Sequence, residues 1–161
     1  MTGPLSGIRI VDASAVLSGP LAIRILADQG AEVIKIEVPG QGDVLRYVGS
    51  SRNGMTASFH MANRGKRSIA LNLGHERGVE ILKDLVREAD VFIQNWRPGV
   101  ADRLGIGWEN LREINYSQPG QRLARCRCLF LCNCFCTHGL TISNTQRLPE
   151  CTSASGSGIS D

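Results

Sequence analysis

The chain has 161 residues, enough for one domain, and its 20% charged residues and formal net charge of +3 are ordinary for a soluble protein. Its basic residues are scattered among acids, which gives no footprint for nucleic acid or an anionic membrane surface. No apolar run approaches the ~20 residues that span a bilayer, and "MTGPLSGIRI" lacks the basic-then-apolar pattern of a secretory leader, so a cytoplasmic location is expected.

Taken in chain order, Ile8 to Val11 are mostly apolar, as in a strand buried on both faces. Ser18 or Gly19 is the expected N-cap of a helix whose first position is Pro20, with Leu21, Ile25 and Leu26 at helical spacing. Gly30 suits the left-handed residue after that helix, and Val33, Ile34 and Ile36 form a second strand. Val38 to Ser58 reads as loop. "SIALNL" (Ser68 to Leu73) predicts a third strand and His75 to Ala89 an amphipathic helix with Val79, Leu82, Leu85 and Val86 on one stripe. Val91 to Asn95 predicts a fourth strand. A short helix follows from Pro98 to near Gly105, and "GWENLREIN" adds another helical piece. This alternation predicts an α/β fold, Rossmann-like, with a largely parallel sheet, flanking helices and right-handed crossovers.

Such sheets bind ligands at the carboxyl ends of their strands. The turns to watch are therefore Ala13 to Pro20, Glu37 to Asp43, Leu71 to His75 and Asn95 to Gly99. None carries the glycine fingerprint of a dinucleotide or triphosphate site: "GQGDVL" has Leu45 at the third glycine, and "GIGWEN" fails at Asn110. Ser18 has no general base nearby and is expected to cap or turn the backbone rather than act as a nucleophile. His60 and His75 are read as surface or turn residues. Arg64, Lys66 and Arg67 in "NRGKRS" either form a phosphate patch or, the favoured reading, a solvated approach to a strand. In "NWRPGVADRLG" an aromatic ring, a guanidinium and a helix start converge at a strand end. That combination suits a purine and anionic groups, or else Trp96 simply covers the sheet.

Together, "PLSGIRIVDASAVLSGP", "LADQGAEVIKIEVPGQGD", "ANRGKRSIALNL" and "ADVFIQNWRPGVADRLGIGWENLREIN" resemble the N-terminal part of the family III CoA-transferases. That group includes formyl-CoA transferase, carnitine CoA-transferase and the 2-methylacyl-CoA racemases. The resemblance covers about Pro4 to Asn115. It implies a CoA-binding region over residues 1–115, coenzyme A or acyl-CoA and a small carboxylic acid as substrates with no covalently bound cofactor, and an interlocked homodimer in full-length members. It places Leu17 and Ser18 in the first CoA-contacting turn and Leu71, Asn72, Leu73 and Gly74 along the adenosine part. Asn95, Trp96 and Arg97 fall at the next strand end, and Arg103 on the following helix. Val38 stands where some members have an arginine, and Gly74 where some have a lysine, so phosphate contacts are expected to be weaker unless Arg64, Lys66 or Arg67 compensate.

Past Asn115 the resemblance stops. Residues 116–161 hold all six cysteines, Cys126, Cys128, Cys132, Cys134, Cys136 and Cys151, and end in Ser/Gly-rich "CTSASGSGISD". The cysteine spacing matches no common zinc module. A divergent terminus from a frameshift, retained intron or splice variant is the favoured reading over a metal-binding tail, and disorder is expected there. The family's catalytic aspartate has no counterpart, since Asp161 is the single aspartate after Asp102 and its context differs; His138 does not match the racemase acid/base. The expectation is a chain inactive in CoA transfer on its own, with an unpaired sheet edge and marginal folding. A racemase of α-methyl acyl-CoA thioesters and a non-enzymatic CoA- or metal-binding module are the rival readings.

Overall fold

The computed structural model describes residues 3–116 and 129–130. In chain order the elements are β1 (Arg9–Asp12), α1 (Ser18–Asp28), β2 (Glu32–Glu37), β3 (Ser51–Arg52), β4 (Met55–Thr56), α2 (Ala57–Asn63), β5 (Arg67–Ala70), α3 (Glu76–Arg87), β6 (Val91–Gln94), α4 (Val100–Arg103), α5 (Trp108–Tyr116) and β7 (Leu129–Phe130). The main sheet runs β5-β2-β1-β6-β7 and every pairing in it is parallel. Strand order therefore reverses between β1 and β6, the arrangement whose switch point forms a crevice in doubly wound α/β folds.

Period-2 alternation explains both faces of the sheet. Ile10, Val33 and Ile93 point to one side and pack with Ile23 of α1. Val11, Ile36 and Phe92 point to the other and pack with Leu82 and Val86 of α3 and Leu111 of α5. Each such buried side chain contributes about 1.5–3 kcal/mol, so both faces of the sheet are driven to take a helical cover. Among the described residues no helix is long and apolar enough to cross a membrane.

Three details differ from the sequence reading. Leu17, not Ser18 or Gly19, is the N-cap of α1, without a side-chain cap, and Pro20 is the third helical residue. Proline is tolerated there because the first-turn N–H groups lack intrahelical acceptors anyway. The third strand stops at Ala70, three residues early. The Leu71 N–H still donates to Glu37 O at 2.9 Å, but Asn72 Oδ1 then accepts from the Gly74 N–H at 3.0 Å and turns the chain toward α3. Third, the long loop contains structure: a 3-10 turn over Val44–Tyr47, capped by Asp43, the β3–β4 hairpin, and α2, capped by Thr56 Oγ1 accepting from the Phe59 N–H at 3.0 Å. The hairpin turns on Asn53 (φ 54°) and Gly54 (φ 74°), an Asn-Gly pair in the left-handed region that two-residue hairpins favour.

The expected bare edge beside β6 is partly covered. Leu129 and Phe130 pair with Ile93 and Gln94. The cysteines, His138 and Asp161 lie outside the described residues.

Candidate functional site

The carboxyl ends of β1, β2, β5 and β6 enclose a cleft of about 320 Å³. Ala13–Ala15 form one wall, Leu71–Gly74 another, and Trp96, Val100 and Leu104 close the far side; Ile36, Glu37, Val38, Gly42 and Asp43 complete it. The four turns picked out by strand pattern thus meet at one place.

Beneath the cleft lies a buried ionic layer. Lys66 Nζ sits 2.8 Å from Asp12 Oδ2 and also donates to Pro20 O (2.8 Å) and Asn63 Oδ1 (3.0 Å). Burial pushes the Lys66 ammonium down in pKa, and Asp12 pulls it back only in part. Asp12 Oδ1 accepts from the Ser14 N–H at 3.0 Å and from its hydroxyl. Lys35 Nζ donates to Ser14 O at 2.8 Å and pairs with Asp43 Oδ2 at 2.9 Å, both side chains about 1% exposed. Glu37 is gripped by Arg46 through Nε and Nη2, each at 2.7 Å. Each buried carboxylate of the layer thereby has one cation, and the floor is electrically neutral.

Glu37 also sets a pH window. Burial pushes its pKa up, but hydrogen bonds from Arg46, Ser68 and the Asp43 N–H outweigh that and bring it from 4.5 down to about 2. A folded-state pKa below the unfolded value means stability that is full above the unfolded pKa and lost as pH falls through the folded one. Urea midpoints should therefore fall between pH 4.5 and about 2, and Glu37→Gln should flatten its share of that decline. Equal slopes in both proteins would remove Glu37 as the cause.

The first turn is held in an unusual shape. Val16 has φ 66° and is 46% exposed. A β-branched residue there is an outlier, and the left-handed region costs L-residues about 1–2 kcal/mol. Val16→Gly is expected to raise stability by roughly 1 kcal/mol, net of the extra chain entropy, in urea titration. A net loss would mean the Val16 side chain has packing value that outweighs the strain. Two contacts hold the turn. The Asn95 side chain donates through Nδ2 to Ala15 O (2.8 Å) and accepts through Oδ1 from the Ala15 N–H (2.9 Å). Gly19 leaves room for Ser14, since a Cβ at Gly19 would lie 2.5 Å from Ser14 Cβ.

A family model described as CoA-transferase family III matches residues 5–117, all but a few residues of the folded part just described. The chain belongs to CoA-transferase family III. Relatives in this family include an acetyl-CoA:oxalate CoA-transferase from Acetobacter aceti, 47% identical over 113 residues. A formyl-CoA:oxalate CoA-transferase from Escherichia coli is 45% identical over 116. These alignments cover 70% and 71% of this chain but only 29% and 28% of the relatives, so the chain spans less than a third of their length. A CAIB/BAIF family protein from Brucella suis has the same fold, with a TM-score of 0.67 and 41% identity over 71% of this chain and 32% of that one.

Of the residues the family resemblance singled out, Leu71, Asn72, Leu73, Gly74 and Trp96 line the cleft. Leu17 and Ser18 are exposed beside it, at the start of α1. Asn95 faces the first turn, and its amide is occupied by Ala15. Arg97 and Arg103 are exposed, and neither guanidinium has an ion-pair partner among the described residues; Arg103 lies over Gly99, whose added Cβ would be 3.8 Å from its Nη1.

The three cations of the basic patch are each matched by an acid. Arg64 pairs with Asp28 at 2.9 Å, Arg67 with Glu32, and Lys66 is buried on Asp12. The solvated reading holds for the two arginines and fails for Lys66. His75 is the N-cap of α3, its Nδ1 accepting from the Arg77 N–H at 3.2 Å. Sequence reasoning missed Asp12, Lys35, Asp43 and the Glu37–Arg46 pair. The available signal was charge inside apolar strands: "IVDAS" and "EVIKIE" each place an ionisable side chain where the pattern demands burial. Among the described residues, no three His, Cys, Asp or Glu side chains gather into a metal site.

Proposed function

We propose that the chain binds coenzyme A in this cleft, as the CoA-binding portion of a machine that moves CoA from an acyl-CoA to a small carboxylic acid. One observation carries the reading: a switch-point cleft with a neutral floor has an indole, Trp96, in its wall, and the residues next in sequence to its lining residues Trp96 and Leu104 are the exposed arginines Arg97 and Arg103. A ring platform with cations nearby suits a nucleotide bearing phosphates. The relatives' names, each pairing an acyl-CoA with oxalate, support the substrate class.

The 161-residue chain is further proposed to transfer no CoA by itself. A carboxylate that attacks a thioester needs a free oxygen at the ligand. Asp12, Glu37 and Asp43 are all buried and each faces a cation, so none of these meets that need. Titration calorimetry with CoA tests the binding reading. Saturable binding at one site per chain is expected, and absence of heat from a folded sample would defeat it. Incubation with formyl-CoA and oxalate should yield no oxalyl-CoA by chromatography; product formation would overturn the second statement.

A further inference from the structure

At the end of β2 the cleft carries a charge arrangement that nucleotide binding in general does not require. In doubly wound folds an acid near this point hydrogen-bonds the ribose hydroxyls of a bound nucleotide. A bare carboxylate there repels a ribose that carries a phosphate. Glu37 is the last residue of β2 and lines the cleft, yet neither of its oxygens is free. Oε1 accepts from Arg46 Nη2 (2.7 Å) and from the Ser68 hydroxyl (2.5 Å). Oε2 accepts from Arg46 Nε (2.7 Å) and from the Asp43 N–H (2.9 Å). Arg46 is held in turn, its guanidinium carbon 3.8 Å from the centre of the Phe59 ring. Gly42 lets the backbone close over the pair, because a Cβ there would lie 2.8 Å from both Glu37 Oε2 and Arg46 Nε.

We propose that Arg46 is a specificity-determining residue: by neutralising Glu37 at the ribose end of the cleft, it admits a nucleotide whose ribose is phosphorylated, as in coenzyme A, over one whose ribose is bare. The assignment rests on the CoA-binding reading above. A phosphomonoester carries close to two negative charges at neutral pH. With Arg46 in place it meets a neutral ion pair with a forked cation; without Arg46 it meets a carboxylate. Asp43, the other acid of this wall, stays matched by Lys35 in either case.

The experiment compares CoA with 3′-dephospho-CoA by calorimetry on the full chain. Arg46→Met keeps an apolar stem against Phe59 while removing the charge. Affinity for CoA is expected to fall about tenfold, with 3′-dephospho-CoA changed by less than about twofold. Glu37→Gln with Arg46→Met removes both charges and should restore the original preference. Equal losses for the two ligands in Arg46→Met, or no restoration in a double variant with native circular dichroism, would overturn the assignment. Should Arg46→Met fail to fold, Glu37→Gln alone decides: it leaves Arg46 unmatched and should raise the preference for CoA, whereas an unchanged ratio overturns the proposal. A wild-type chain that binds neither ligand would sink the CoA-binding reading and this assignment with it. A wild-type chain that binds both, with a ratio indifferent to Arg46, sinks the assignment alone.

Discussion

Replacing Lys66 with methionine is expected to lower the urea midpoint steeply. The Lys66 side chain is 2% exposed and reaches three acceptors on three separate segments: Asp12 at the end of β1, Pro20 in α1 and Asn63 at the end of α2. Truncating it leaves the Asp12 carboxylate, 0% exposed, without a counter-charge. Breaking a buried pair from one side costs about 3–5 kcal/mol, against roughly 5–15 kcal/mol for the whole of a typical domain. A core built on roughly a hundred residues, the size of the described part, has no large reserve. Urea titration followed by circular dichroism measures the loss. A cost below about 1 kcal/mol, the scale of an exposed pair, would show that the pair is not buried as described. Asp12→Leu combined with Lys66→Met should recover part of the loss, since an apolar pair of similar volume removes the orphaned charge. Arg67→Ala is the control: its partner Glu32 is exposed, so the change should stay within about 0.5 kcal/mol.

The second large effect is expected from Gly78→Ala. Gly78 is the third residue of α3, and a Cβ there would lie 2.1 Å from Asn72 O and 2.8 Å from Asn72 C. Those are backbone atoms, which yield less readily than the end of a long side chain. Either α3 lifts from the sheet or the Leu71–Gly74 turn moves. Overpacking of this kind costs about 1–3 kcal/mol. The turn also lines the cleft, so affinity for CoA should drop even in conditions where the variant remains folded. Thermal unfolding and calorimetry on the same sample separate the two effects. Unchanged affinity in a destabilised variant would mean that α3, not the turn, absorbs the shift.

The layout of strands and helices was legible because burial on two faces leaves a trace: Ile8, Ile10 and Val11, then Val33, Ile34 and Ile36, then Val91, Phe92 and Ile93 cluster where a covered parallel strand must be. The side of the sheet that carries the cleft followed from topology alone. The segment from Val38 to Ser58 was less legible for a physical reason. Its elements are two to seven residues long, and the 3-10 turn and α2 start on single capping side chains, Asp43 and Thr56, rather than on periodicity. The Asn53-Gly54 pair is a hairpin signal that the loop reading passed over. The buried ionic layer was hidden for another reason. Lys66 and Arg67 are neighbours of the same charge, yet one ends buried on Asp12 and the other exposed on Glu32. Only the three-dimensional meeting of β1, α1 and α2 decides which is which. Arg46 reaching back nine residues to Glu37 is of the same kind.

Asn95 gives the first turn a dynamic property that its loop conformation would not predict. The Ala13 N–H donates to Ile93 O at 2.8 Å, and two residues on, the Asn95 side-chain amide exchanges a donor and an acceptor with Ala15. The side chain acts as one more rung of the β1–β6 ladder, built beyond the end of the backbone pairing. In a hydrogen-exchange experiment the Ala15 amide should therefore open with the sheet, on the slow timescale of the core, while the Val16 and Leu17 amides exchange at the rate of a surface loop. Asn95→Ala should collapse that difference. The two lips of the cleft, one from β1 and one from β6, would then breathe independently, and a ligand spanning them would have to supply the order that a single amide now provides.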